Sequence, residues 1–347
     1  MSSKKSKTII RIVLAVGTIT YLFFVPWIIL KAWLMPLPDT VQEQVNSATD
    51  LGFDGIIVYV DQKGKEPGFY AAGYKNRENK TPADPHSLFK IASVSKLYHA
   101  VAIAKLVRDK KLSLDKSLAN YLPELKDRIE NAEEITLRML VQHHSGIPNY
   151  TDTYMYWAAP KETAGENLAL VLDLPANFEP GTDYEYSNTN YLLLDRIIAR
   201  VLGYQTFEYI QDEILNRLHL KSTYGSIHDV DLDDVMSGYY VGYEGDLKTD
   251  DIGVMLATAE DLGKFIRALN DGSVFKDEKE QEIYSSIYRY DHTGLIPGYQ
   301  TIAKYHKDIN AVVIQFTNTV DFEGYNWSLH EIIYNRIIKI LRKGTDS

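Results

Sequence analysis

A chain of 347 residues with 45% hydrophobic and 24% charged residues has the composition of an ordinary folded protein. It is long enough to bury a core without staples. It contains no cysteine, which excludes a disulfide framework, thiol catalysis and Cys-ligated zinc or iron–sulfur centres. The net charge of −10 is uneven: the first 38 residues hold five Lys/Arg and no acid, which leaves −15 on the remainder. So acidic a body is unsuited to nucleic acid.

The chain opens on a short basic segment, residues 1–11, with Lys4, Lys5, Lys7 and Arg11. Ile12 to Leu30 then carry no charge. As a helix this run spans about 28 Å, close to the roughly 30 Å hydrocarbon core of a bilayer. Residues 12–34 are therefore expected to form an uncleaved transmembrane signal anchor, with Tyr21, Trp27 and Trp33 as interface anchors and Pro26 as a kink. The lysine bias keeps the N-terminus cytoplasmic and places the rest outside. Lys31 to Pro36 lack a small-x-small cleavage site. Residues 35–43, with Pro36, Pro38 and Asp39, read as a stalk.

Residues 44–342 read as one domain. Phe53 to Val60 and Gly68 to Tyr74 alternate like strands and make a hairpin across Gln62–Lys65. Leu97 to Arg108 are periodic like a helix. Leu168–Leu172, Tyr191–Leu202 and Phe207–Leu218 are helical candidates, with Gly203 a plausible stop. Thr258-Ala259-Glu260-Asp261 resembles a capping box for Leu262–Leu269. Asp229–Asp234 and Lys276–Glu282 read as solvated charge runs. Strand patterning returns at Ile287–Thr293, Gly298–His306 and Ala311–Asn318, and Trp327–Leu341 close the chain as a helix. The pattern predicts an α+β fold. An antiparallel sheet is formed from both ends of the chain and flanked by helices, and a mostly helical subdomain is inserted between.

Ser93-Val94-Ser95-Lys96 precede the amphipathic run. Three positions along a helix bring two side chains to one face, so the Lys96 amine falls beside the Ser93 hydroxyl. A serine needs such a base or charge to become a nucleophile. Two further motifs follow, Tyr186-Ser187-Asn188 and His292-Thr293-Gly294. His143-His144 have no metal-like partner spacing, and no metal or cofactor is expected. Tyr239-Tyr240-Val241-Gly242-Tyr243 read either as packed strand or loop or as a platform for sugar or peptide.

S-x-x-K, then Y-x-N, then H-T-G, in this order and at wide spacing, resembles the penicillin-recognising serine hydrolases. The similar branch holds class C β-lactamases, D-alanyl-D-alanine carboxypeptidases and esterases. Leu112–Asp115, Tyr121–Glu124, Ile135–Leu140, His144–Tyr150 and Leu256–Leu262 also read like that family's connecting segments, so the resemblance covers residues 44 to 340. It implies a β-lactamase/transpeptidase-like fold with its active site in the cleft between sheet and helical part. It also implies roles. Ser93 is the acylated nucleophile, Lys96 its base, and Tyr186 the relay that protonates the leaving group. Asn188, His292, Thr293, Gly294 and Leu295 bind substrate. The backbone N–H groups of Ser93 and Leu295 form the oxyanion hole. Gly294 lets substrate backbone lie close.

His292 stands where well-known β-lactamases carry lysine. An imidazole of pKa about 6.5 is only partly charged at neutral pH. Affinity for a substrate carboxylate is thus expected to fall as pH rises. The resulting expectation is a membrane-anchored extracytoplasmic serine hydrolase, working by an acyl-enzyme on a D-alanyl-D-alanine-type peptide. The alternatives are an esterase acting on a cell-envelope or small acyl ester, and a catalytically idle β-lactam-sensor-like binding protein.

Overall fold

The computed structural model describes residues 2–161 and 163–344. Helices α1 (Ser2–Leu22) and α2 (Trp27–Leu34) come first, then α3 (Val41–Asn46), whose N-cap Thr40 forms a reciprocal capping box with Glu43. Strands β1 (Gly55–Gln62), β2 (Gly68–Asn76) and the short β3 (Thr81–Pro82) follow. Then come α4 (Ser95–Arg108), α5 (Leu137–Gln142), α6 (Asn188–Leu202), α7 (Ala259–Asp271) and α8 (Glu278–Ser285). Strands β4 (His292–Ile296), β5 (Tyr299–His306) and β6 (Ala311–Thr317) and helix α9 (Asn326–Lys343) complete the chain.

The sheet order is β3-β2-β1-β6-β5-β4, with antiparallel neighbours throughout. Strands from the two ends of the chain meet at β1–β6, where Ile56 faces Thr317 and Gln62 faces Ala311. The expected α+β architecture is therefore present, and β4 is an edge strand.

Period-2 alternation sends β1 to two different cores. Ile57 and Tyr59 face the large core around α4, α6 and α7. Ile56, Val58 and Val60 face a second core with Val41, Val45, Ile333 and Ile337, under α3 and α9. The active-site helix and the terminal helices thus cover opposite faces of the sheet.

The N-terminus departs from the expected single span over 12–34. Pro26 has no N–H to donate, and the chain breaks into two helices 77° apart. Among the described residues no single helix is long and apolar enough to cross a membrane. Nor is 35–43 a free stalk. Met35 and Leu37 pack against the second core, Val41 is buried, and Arg336 donates to Met35 O, Pro36 O and Gln44 Oε1.

Three other expectations shift. Lys276–Glu282 are not merely a solvated charge run. They open α8, where Glu280 pairs with Lys105 at 2.6 Å with both side chains at most 3% exposed. The expected strand 287–293 starts only at His292, because the preceding residues form the turn and loop that lead out of α8, which ends at Ser285. Residues 207–218 are helical but contain a π turn at Gln211–Leu215.

Candidate active site

The nucleophile candidate sits in a single 3₁₀ turn, Ala92–Val94, that runs straight into α4. Ala92 takes a left-handed φ of +49°, a conformation that surrounding structure must hold in place. β4 holds it: a Cβ on Gly294 would come within 2.5 Å of Ile91 O and 3.0 Å of Ala92 Cβ. The side-chain-free position at Gly294 therefore lets β4 press on the Ser93 turn. Its crowded side faces protein, where the sequence reading placed substrate.

Ser93, Lys96, Tyr186 and Asn188 meet in space. Lys96 Nζ donates to Ser93 Oγ at 3.2 Å and to Asn188 Oδ1 at 2.9 Å. Tyr186 Oη lies 2.7 Å from the same Ser93 oxygen. Asn188 is the first residue of α6, and its amide donates to Thr151 Oγ1 at 3.2 Å. Its backbone N–H is held by Asn149 Oδ1 at 3.0 Å. Lys96 is buried, with its Nζ about equally placed over the rings of Tyr186 (5.0 Å) and Tyr191 (5.2 Å).

His143 packs on Tyr186, with ring centroids 4.4 Å apart. Its Nδ1 accepts from Ser187 N–H at 3.2 Å. Burial, with Lys96 adding to it, drives its pKa down to about 3, so it is a neutral prop for the tyrosine. His144 hydrogen-bonds Asp183 O through Nδ1.

His292, Thr293 and Leu295 line the cleft beside Ser93, but His292 is not the half-charged imidazole expected. It is 8% exposed. Its Nδ1 is 2.5 Å from Thr293 O and its Nε2 is 3.0 Å from Tyr288 Oη. The neutral ring satisfies both contacts, donating at Nδ1 and accepting at Nε2. Burial pushes its pKa down to about 4. The cation on this wall is instead Arg289, which is exposed at the surface and lines the cleft. Among the described residues no carboxylate pairs with it. Its charge is felt by both His143 and His292.

One cavity is lined by the serine, and a second lies beyond Thr151, the hydrogen-bond partner of Asn188. The first, of about 630 Å³, includes Tyr186, Tyr184, Tyr288, Arg289 and His292. The second, of about 380 Å³, starts at Thr151 and at Ile296-Pro297, just past the end of β4. Its walls are Tyr156, Trp157, Tyr240, Tyr243 and Ile252. Lys90 also lines it, donating to Leu247 O and Asp250 O, with its pKa lowered by burial to about 8. The tyrosine cluster 239–243 divides between packing and a cavity wall. Tyr239 is buried and Tyr240 and Tyr243 face a cavity.

Residues 39–290 match the family model described as Beta-lactamase. The chain belongs to that family. The match ends just before His292, so the third motif rests on its geometry. Among curated relatives, the mouse "Serine beta-lactamase-like protein LACTB, mitochondrial" is 27% identical over 246 residues, 50% of this chain and 44% of that protein. "Protein flp" of Staphylococcus aureus (strain MW2) is 29% identical over 196 residues, 51% of this chain and 39% of that protein. The chain therefore spans less than half the length of these relatives. Among solved structures, the D-amino acid amidase of Ochrobactrum anthropi SV3 superposes with a TM-score of 0.76 at 24% identity, over 88% of this chain and 98% of that one. The penicillin binding protein of Bacillus halodurans gives 0.72 at 22%, over 87% and 100%. These likenesses establish the fold.

Within this family fold the arrangement has what acyl transfer needs: an oxygen nucleophile, a lysine and a phenol on it, and an amide that fixes the lysine. Thr151, His143, Tyr288 and Arg289 were not singled out for this site in the sequence. Each reaches it from a loop or a helix terminus, where no periodicity points.

Proposed function

We propose that this protein is a serine hydrolase that works through an acyl-enzyme on amide substrates of the D-amino-acid peptide type. The observation that carries the reading is the convergence of Tyr186 Oη and Lys96 Nζ on one Ser93 oxygen, at 2.7 and 3.2 Å. The Ser93 oxygen attacks the substrate carbonyl as its proton passes to the Lys96–Tyr186 pair. Asn188 keeps Lys96 in place and offers its amide toward the acyl carbonyl. The backbone N–H groups of Ser93 and Leu295 receive the oxyanion. Tyr186 returns the proton to the departing nitrogen, and water then resolves the ester on Ser93.

Proton return assigns direction to the cleft. Tyr186 lines the 630 Å³ cavity, so the leaving group occupies that end. The acyl part then extends past Asn188 and Thr151 toward the aromatic cavity and is bulky and apolar. Arg289, facing the leaving-group end, favours a leaving group that ends in a carboxylate, as a peptide does. The amidase likeness in fold is compatible with this chemistry.

The apolar, basic-flanked N-terminus supports a membrane anchor with the catalytic domain on the extracytoplasmic face. A panel of a D-Ala-D-Ala peptide, a short-chain nitrophenyl ester and nitrocefin tests the substrate class. Preferential turnover of the peptide is expected. Turnover of the ester alone would make the protein an esterase, and no acylation by any of them would make it a binding protein.

A further inference from the structure

The notable surface outside the cleft is α2. One side of it is docked. Ala32 is buried, and Ile28, Ile29 and Met35 pack on the core beneath α9. Arg336 of α9 fastens the end of the helix through Met35 O and Pro36 O. The other side is apolar and bare. Trp27 is 54% exposed, Trp33 71% and Leu34 73%, and Phe23 and Phe24 just before it exceed 75%. A soluble surface rarely carries so large an apolar patch without an occupant.

The tether to α1 identifies the occupant. From Thr8 to Val25 the chain carries one charge, Arg11. α1 carries Thr8 to Leu22 of that segment, about 22 Å as a helix, and the turn Phe23–Val25 completes the distance to a hydrocarbon core of roughly 30 Å. Arg11 lies near its inner end and can extend its head to the headgroups. If α1 and this turn together cross the bilayer, as in the anchor proposed above, Pro26 reaches the outer surface. α2 must therefore begin at that surface, and its 77° angle to α1 turns it from the membrane normal toward the membrane plane. Tryptophan is enriched at that depth.

We infer that α2 is an interfacial helix, sandwiched between the lipid headgroup region on its Trp27–Trp33–Leu34 face and α9 of the catalytic domain on its Ile28–Ala32 face. The inference rests on the reading of α1 as an anchor. It replaces a domain swinging on a stalk with one seated on the membrane in a fixed orientation. The orientation has a consequence for substrate access. α2 and α9 cover the Ile56–Val58–Val60 face of β1, and Ser93 lies with the Ile57–Tyr59 face. The sheet therefore separates Ser93 from the bilayer, and substrate reaches the cleft from the aqueous side.

The absence of cysteine makes the test clean. Trp27→Cys, Trp33→Cys and Leu34→Cys, each in the full chain, carry a nitroxide label on the bare face and leave the docked face intact. Leu14→Cys reports on α1. The proteins are reconstituted in nanodiscs of phosphatidylethanolamine and phosphatidylglycerol, checked for folding by circular dichroism, and read by oxygen and nickel-chelate accessibility. The three α2 labels are expected at one shallow depth, within about 5 Å of each other, at the headgroup–acyl boundary. A straight span through Pro26 instead separates labels 27 and 34 by about 10 Å along the normal. That result overturns the inference, as do α2 labels in bulk water while Leu14 stays in lipid. A Leu14 label in water removes the anchor reading itself, and the inference with it.

Discussion

Tyr186 Oη and Ser93 Oγ stand 2.7 Å apart, close enough for one proton to be shared between phenol and nucleophile. Lys96 Nζ donates to the same serine oxygen, so Ser93 meets two donors and can be deprotonated only when one of them becomes an acceptor. Tyr186→Phe removes the shorter contact and keeps the ring that packs on His143. It should lower kcat about 10²- to 10⁴-fold, the usual range for loss of a general acid–base group, with an unchanged melting temperature. Steady-state kinetics with a thermal melt checks it; full activity in the phenylalanine variant would take the phenol out of the proton path.

The state of His292 reverses the pH dependence that its sequence suggests. A histidine held neutral down to a pKa of about 4 cannot switch off carboxylate binding near neutrality. KM for a peptide with a free C-terminal carboxylate should be flat between pH 5.5 and 8. Arg289→Gln should raise that KM by roughly 10-fold, the low end for a charge-assisted hydrogen bond at an exposed site. KM for a neutral ester should not move. A matching rise for both substrates would leave Arg289 without a role in charge recognition.

Three buried histidines set the acid limb of stability. His143, His292 and His330 have pKa values lowered by burial to about 3, 4 and 3. In the unfolded chain each titrates near 6.5. Between these values the unfolded state binds more protons, so stability is intact above pH 6.5 and falls as pH drops toward 4. Three such groups give a slope of at most about 4 kcal/mol per pH unit. His330 lies on the α9 side of the sheet, hydrogen-bonded to Gln315 and Thr317. His330→Asn should remove about one proton from that slope. Urea unfolding at pH 7.5, 6 and 5 measures it, and a slope identical to wild type would contradict the assignment.

The Lys105–Glu280 pair ties α4 to α8. Glu280→Ala strands a buried ammonium whose remaining partner is Val274 O. Breaking such a pair from one side costs about 3–5 kcal/mol. The double change Lys105→Met with Glu280→Leu should recover most of it, since no charge is then left buried. A single variant as stable as wild type in chemical denaturation would refute the pairing.

Where truncation is made also matters. Removing residues 1–25 leaves α2 docked and should leave the melting temperature unchanged. Removing 1–38 takes Ala32 from the core and two carbonyl acceptors from Arg336. Unsatisfied charged donors cost about 1–3 kcal/mol or more, so this form should melt several degrees lower. Equal melting temperatures would mean that α2 contributes nothing to the domain.

Much of this was legible in the sequence because it is local. The S-x-x-K spacing places Lys96 under Ser93, alternation marks β1, β5 and β6, and Gly203 ends α6 with a left-handed φ of +82°. The Tyr186-Ser187-Asn188 motif was visible as a motif, but its place on the serine comes from α6 packing against α4. What was not legible depends on long-range burial. The titration of His292 is set by its burial in the folded chain, with Lys96 and Arg289 nearby adding to the effect. Glu280 looked solvated because nothing in Lys276–Glu282 reveals Lys105, far away in sequence. Pro26 was legible as a kink, but the apolar run through residue 30 did not show that the helix after it docks on the domain, because hydropathy does not show which side of a helix finds Arg336 and α9.

The central claim is a covalent intermediate on Ser93, and intact-mass spectrometry with peptide mapping tests it most directly. Wild type treated with a fluorophosphonate should gain one adduct, mapping to the peptide that contains Ser93. Ser93→Ala should gain none while keeping its circular dichroism spectrum and melting temperature. Lys96→Ala should label far more slowly. An adduct on another residue of the wild type, or undiminished labelling of folded Ser93→Ala, would contradict the account.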